Sequence, residues 1–240
     1  MHYVIIPGID GSGREHWQTL WEEAWGSSAT RIRPSSWDNP DLDDWCLALD
    51  NAMQRHRSSE VVLVAHSLGC LAAASWLRRH QPGVRGAFLV AAPDPAGPGF
   101  PAAASTFATP DPMPLPVPGL LISSDDDPYC TPQAALTMAD IWGIGHVSIG
   151  RAGHVNTASG HGAWDSGQAL LSAFTAGWSG MSAPPDGLPA YRVLTGPDDA
   201  AFCHRVSEAI TLGYRLHDGP ALTYNGKEVI VAQALVWQGT

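Results

Sequence analysis

The sequence predicts a doubly wound α/β domain, a mostly parallel sheet with helices on both faces, followed by a small β-α-β-β module. Three observations lead there. Runs without polar interruption, such as Val61-Val62-Leu63-Val64-Ala65, read as strands buried on both faces, as in a parallel sheet covered by helices. Amphipathic helical stretches alternate with these runs, which is the pattern of βαβ units. Near residues 180–188, Gly-Met-Ser-Ala-Pro-Pro-Asp-Gly-Leu replaces pattern with linker chemistry, and strands and a helix resume beyond it. The expected organisation is a main domain over 1–180, a linker over 181–188 and a small α+β module over 189–240.

The elements follow in order. Tyr3-Val4-Ile5-Ile6 is an apolar run stopped by Pro7-Gly8, a buried strand ending at a turn. Trp17, Leu20, Trp21 and Ala24 recur at helical spacing within residues 15–25. Asn39-Pro40 predicts a second helix, with Asn39 as N-cap and Pro40 first inside it. Asp41, Asp43 and Asp44 suit its positive end, and Arg55, His56 and Arg57 its negative end. Leu42, Trp45, Leu49 and Met53 form its apolar stripe. After the run 61–65 comes a small-residue helix over 71–77. Phe88-Leu89-Val90, Leu120-Leu121-Ile122 and His146-Val147-Ser148-Ile149 read as further strands. Nine prolines between residues 93 and 118 exclude a regular helix or central strand and predict a long irregular loop.

In the module, Tyr191 to Leu194 reads as a strand. A helix beginning at Pro197-Asp198-Asp199 should bury Phe202, Val206, Ala209 and Ile210. Asn225-Gly226, between Leu222-Thr223-Tyr224 and Val229-Ile230-Val231, signals a two-residue hairpin. A unit of about 50 residues is near the lower limit of independent stability, so it should lean on the main domain or on a second copy of itself in a homo-oligomer.

Composition excludes several classes of function. The chain has 240 residues, 45 % hydrophobic and only 15 % charged, which favours a packed core over disorder. Its formal net charge is −10, and it has no basic stripe, which argues against a nucleic-acid partner. No apolar run approaches the roughly 18 residues of a membrane span. Cys46, Cys70, Cys130 and Cys203 are scattered, without the close spacings of a metal site or disulfide framework. The first residues lack the layout of a signal peptide. A cytoplasmic protein without metal or cofactor, acting on a small molecule, is the expectation.

Ala65-His66-Ser67-Leu68-Gly69 carries the strongest chemical signal. It is a G-x-S-x-G nucleophile elbow with Ala in place of the first Gly, set between a buried strand and a small-residue helix. Small flanking residues let the chain double back, and the helix N-terminus favours developing negative charge. A serine hydroxyl needs an adjacent base, and on this kind of fold the order is Ser, acid, His. His146, His154 and His161 follow late enough, and His154 leaves the last strand at the edge where the elbow emerges. The acid belongs in Ser123-Ser124-Asp125-Asp126-Asp127-Pro128-Tyr129, where position alone does not choose among three carboxylates. The oxyanion donors would be the backbone N–H of Leu68 and one from the glycine-rich loop over 7–13, with Ile9 the candidate. Arg14 and Glu15 stand where a phosphate-binding loop would need Lys and Ser or Thr, so that loop is not read as a nucleotide site. Trp17, Trp21, Phe100 and Phe107 are read as core more than as pocket.

Taken together, Pro7-Gly8-x-x-Gly11-Ser12-Gly13-x-x-His16-Trp17-Gln18, Val64-Ala65-His66-Ser67-Leu68-Gly69-Cys70, the proline-rich loop, Ser124-x-Asp126-Asp127-Pro128-Tyr129 and Gly153-His154-x-Asn156 resemble the α/β-hydrolase superfamily. Within it, they are similar to the small serine hydrolases related to retinoblastoma-binding protein nine and bacterial YdeN. The resemblance covers roughly residues 3–178. It implies a triad of Ser67, Asp127 and His154 and a compact fold without a cap domain. Asp127 also precedes Pro128, which favours extended backbone and projects the side chain out of the turn. The tail from about Tyr191 resembles a short bacterial domain of unknown function. Hydrolysis of small carboxylic esters, or of amides or thioesters, is the expected activity. The alternative is a non-catalytic protein-binding module that keeps the fold.

Overall fold

The computed structural model describes every residue except 55, 57–59, 81–82, 110–111, 177–183, 185–186 and 238–240. Arg55 and Arg57, expected at the end of the second helix, and most of the expected linker lie outside the described residues. The chain divides into two compact units, Met1–Asp165 and Ser166–Thr240.

In the first unit the strands are β1 (His2–Ile6), β2 (Ala29–Arg31), β3 (Val61–His66), β4 (Gly86–Val90), β5 (Gly119–Ser123) and β6 (Gly145–Ser148). They form one sheet in the order β2-β1-β3-β4-β5-β6, and every pair is parallel. All residues of β3 and β4 are buried, as expected of central strands with helices on both faces. The order reverses at β1 and β3, whose C-terminal ends therefore open a crevice at the switch point.

The helices are α1 (Trp17–Trp25), α2 (Leu42–Met53), α3 (Leu68–His80) and α4 (Pro132–Trp142). In α1, Trp17 and Trp21 are buried as expected, but Ala24 is exposed and Gln18 shares the buried face. The cap of α2 is Asp41, not Asn39. Its carboxylate accepts from the N–H groups of Asp43 and Asp44, so Asn39 and Pro40 stay outside the helix. Helix α3 starts directly after Ser67, earlier than the expected residue 71, because Leu68, Gly69 and Cys70 already turn helically. Thr131 caps α4 by accepting from Ala134 N–H, with Pro132 in the first turn. Among the described residues, the proline-rich loop has one 3₁₀ helix (Ala102–Phe107), lying in its proline-free stretch and burying Ala104 and Phe107.

Strand β2 has no sequence signal. It is short and polar, paired to β1 from Tyr3↔Ala29 to Ile5↔Arg31, and only tertiary pairing makes it a strand.

Helix α5 (Asp165–Ala176) begins at the last residue of the first unit, and the second unit continues with β7 (Tyr191–Pro197), α6 (Ala200–Thr211), β8 (Tyr214–Tyr224) and β9 (Val229–Trp237). The three strands are antiparallel in the order β7-β9-β8. Asp199 caps α6, accepting from Phe202 N–H. Phe202 and Ala209 are buried, but Ile210 is 47 % exposed, one position too far round the helix. The β8–β9 turn also differs from expectation. Tyr224 pairs with Val229, so the connection is Asn225 to Glu228, longer than a two-residue hairpin. The Asn225 side chain accepts from Lys227 and Glu228 N–H, closing the turn as an Asx motif.

Candidate active site

Ser67 sits on the turn from β3 into α3 with φ +53°, a left-handed conformation that is uncommon for residues other than glycine. Such a residue costs on the order of 1–3 kcal/mol and persists only when its surroundings hold it. Here Ser67 N–H donates to Val90 O at 2.9 Å, and Cys70 N–H donates to Ser67 O at 2.9 Å. The neighbours must be small. A Cβ on Gly69 would lie 2.3 Å from Ile6 O, and one on Gly8 would lie 2.7 Å from Ser67 Cβ. The turn thus stands against the end of β1, with the serine hydroxyl lifted into the crevice.

His154 Nε2 lies 2.8 Å from Ser67 Oγ. Its Nδ1 lies 2.9 and 3.0 Å from the two oxygens of Asp127. The Asp127 side chain is 1 % exposed and that of His154 10 %. With the carboxylate accepting from Nδ1–H, Nε2 is left as the acceptor that faces the serine hydroxyl. Tyr129 N–H donates to Asp127 Oδ1 at 2.9 Å, and the Tyr129 ring packs edgewise on the imidazole at 4.5 Å.

The three neighbouring carboxylates separate by partner. Asp125 accepts from Ser148 Oγ at the end of β6. Asp126 accepts from Gly153 N–H at 2.8 Å and from Ser124 Oγ at 2.9 Å. The Gly153 bond, first among its causes, holds the Asp126 carboxyl below the usual range. Asp127 alone reaches the imidazole. His146 instead pairs with Ser123 Oγ at 2.7 Å, and His161 with Ser159 Oγ at 3.2 Å.

Sequence reasoning missed how the histidine loop is held. Trp17 Nε1–H donates to Val155 O at 2.9 Å, and His66 Nε2 meets His154 O at 2.9 Å. Since the carbonyl can only accept, His66 carries its proton on Nε2. Both contacts fix the backbone beside the catalytic candidate, where Val155 is strained at φ +48° and fully buried. Gln18 ties the site to the sheet, donating to Ile6 O and Val64 O. The glycine-rich loop is held from β2, where Arg31 donates to Gly11 O and Ser12 O. The His16-Trp17-Gln18 run was the only sequence trace of these roles.

A cavity of about 510 Å³ opens over Ser67 and His154. Its polar wall includes Asp10, Ser12, His16 and Asn156, and its apolar wall Leu68, Pro93 and Tyr129. Ile9 also lines it, whereas Trp17, Trp21 and Phe107 are core. Burial depresses two further histidines. His16 is pulled down to about 4, first by burial and then by the Arg31 charge. His66 falls well below its ordinary value, first by burial and then by His154. Both are neutral near pH 7. Among the described residues, no cluster of His, Cys, Asp or Glu could hold a metal ion, and no helix is long and apolar enough to cross a membrane.

The serine hydrolase family matches residues 3–173, and a domain of unknown function, DUF1737, matches residues 189–238. No curated protein matches the chain. A protein described as a YdeN-like hydrolase of Pectobacterium atrosepticum is similar at 33 % identity and a TM-score of 0.64, covering 73 % of this chain and 90 % of that one. The ydeN gene product of B. subtilis is similar at 19 % identity and a TM-score of 0.62, over 73 % of this chain and 100 % of that one. Est1E of Butyrivibrio proteoclasticus, solved with ferulic acid, shares the fold at 13 % identity and a TM-score of 0.55, over 72 % and 89 %.

Proposed function

Since the chain belongs to the serine hydrolase family and has the α/β-hydrolase type of fold, we propose that it cleaves small carboxylic esters through an acyl-enzyme on Ser67. His154 is the general base and Asp127 the orienting acid. The observation that carries this reading is the unbroken chain from Asp127 through both ring nitrogens of His154 to Ser67 Oγ.

The chemistry follows from that chain. Ser67 Oγ attacks the ester carbonyl carbon as its proton passes to His154 Nε2, and the carbonyl π pair moves onto oxygen. Asp127 holds the tautomer and stabilises the imidazolium without itself being protonated. The oxyanion is assigned to the N–H groups of Leu68 and Ile9. Leu68 is the first residue of α3, so its N–H has no partner within the helix. Collapse expels the alkoxide, which takes the proton from Nε2 and leaves as alcohol. Water then attacks the acyl-enzyme by the same steps in reverse and releases the acid. Amides and thioesters fit the same sequence with a different leaving atom. The cavity volume supports a small substrate.

The test is labelling of Ser67 by a fluorophosphonate probe, together with hydrolysis of p-nitrophenyl butyrate by Ser67→Ala. Wild type should label, and the variant should lose on the order of 10⁴-fold or more in turnover while remaining folded. A variant that keeps more than about a tenth of the activity rules out Ser67 as nucleophile. A folded wild-type protein that neither labels nor hydrolyses leaves the non-catalytic binding module as the reading.

A further inference from the structure

His16 is a histidine that the triad does not use, and its two nitrogens have unequal fates. Nδ1 accepts from Gln18 N–H at 3.2 Å and so caps α1. The proton of the neutral ring is therefore on Nε2. That N–H is buried and meets no acceptor among the described residues, although the whole residue is only 5 % exposed. A buried donor without an acceptor is an exception in folded proteins. Capping needs only Nδ1, so it does not account for the other nitrogen. His16 stands in the wall of the cavity over Ser67, its ring 4.7 Å from that of His66. Asp10, Ser12 and Asn156 make the same cavity polar, whereas Leu68, Pro93 and Tyr129 are its apolar part.

We propose that His16 determines specificity: its Nε2–H donates to a substrate oxygen other than the reacting carbonyl. The site then takes esters whose chain carries an ether, hydroxyl or second carbonyl oxygen, with the apolar remainder against Leu68, Pro93 and Tyr129. The depressed basicity of His16 agrees with a permanent neutral donor. The proposal rests on the hydrolase reading and names the substrate class for that site.

Matched ester pairs test it. On the acyl side, p-nitrophenyl methoxyacetate is compared with p-nitrophenyl butyrate. On the leaving side, 2-methoxyethyl acetate is compared with butyl acetate, followed by acid release. Each pair differs by an oxygen in place of a methylene. His16→Asn keeps a residue that caps helices, but its amide N–H reaches only the place of Cδ2 and falls short of Nε2. His16→Gln can return an amide N–H near the Nε2 position. In at least one pair, His16→Asn should lower the wild-type ratio of kcat/KM, ether over alkyl, by about fivefold, and His16→Gln should restore part of it. Comparing ratios between proteins cancels the intrinsic reactivity of each ester. An unchanged ratio in both pairs, or an equal fall for both members of each pair, overturns the proposal and leaves a purely structural histidine. Fluorophosphonate labelling in parallel separates the two readings. A labelled enzyme with flat ratios defeats only this proposal, whereas an unlabelled wild type defeats the hydrolase reading and this one with it.

Discussion

Asp125, Asp126 and Asp127 share one turn yet meet different partners, and the partners set the expected cost of removing each charge. Asp127→Asn removes the buried charge and replaces one of the two oxygens facing His154 Nδ1 by an N–H donor, which disturbs the tautomer that leaves Nε2 free. Turnover of p-nitrophenyl butyrate should fall by several powers of ten. Asp126 acts one step away, through Gly153 N–H, so Asp126→Asn should cost between the two extremes. Asp125 ties only Ser148, and Asp125→Asn should cost less than about tenfold. Small and equal losses for Asp127 and Asp125 would move the acid elsewhere. A second expectation concerns acid. The folded pKa of His16 is about 4, below its unfolded value near 6.5, so the unfolded chain binds the extra proton between those limits. Its contribution to stability is therefore complete above about pH 6.5 and is lost as pH falls towards 4, at up to about 1.4 kcal/mol per pH unit. His66 acts in the same direction. In urea unfolding at pH 7 and pH 5, His16→Asn should lose about 1–2 kcal/mol less than wild type between the two. Parallel losses would contradict the buried neutral imidazole.

At the scale of elements, the elbow depends on α3 lying against the end of β1. Gly69 is the contact point, since an added Cβ meets backbone carbonyls at 2.3 and 2.5 Å and no flexible side chain can give way. Gly69→Ala should therefore destabilise the folded protein by about 1–3 kcal/mol or more, with the helix displaced from Ser67. Chemical denaturation measures it, and a change within about 0.5 kcal/mol would mean that the two elements are not so closely packed. Legibility in the sequence varied by element for related reasons. Strands β3 and β4 are buried on both faces, so their apolar runs declared them. Strand β2 is a polar edge whose only definition is its pairing with β1. The start of α2 misled because Asn39-Pro40 and Asp41 are both good caps, and only the bonds to Asp43 and Asp44 N–H decide between them. The hairpin after β8 misled likewise, because Asn225 uses its side chain to close a longer turn.

For the whole molecule, every group assigned to the chemistry lies within the first compact unit, before residue 160. Truncation after Gly180 should therefore keep fluorophosphonate labelling and leave kcat/KM for p-nitrophenyl butyrate within about twofold, provided that the product is folded by circular dichroism. A folded truncation without activity would assign part of the site to residues 181–240. By itself, the sequence determined the alternation of strand and helix, the strand-to-helix turn that carries Ser67, the order along the chain of Ser67, the Asp125–Asp127 run and His154, and the presence of a second module. Those features are local, or follow from which faces a segment must bury, and a one-dimensional pattern records such demands. The choice of Asp127 among the three carboxylates already rested on the resemblance and on Pro128. Tertiary structure alone decided how Trp17 and His66 hold the loop that carries His154 and how Gln18 ties α1 to β1 and β3. Each of these contacts brings together segments far apart in the chain. The approach is set by packing and hydrogen-bond geometry, which are properties of distances between segments and leave no periodic trace within any one of them.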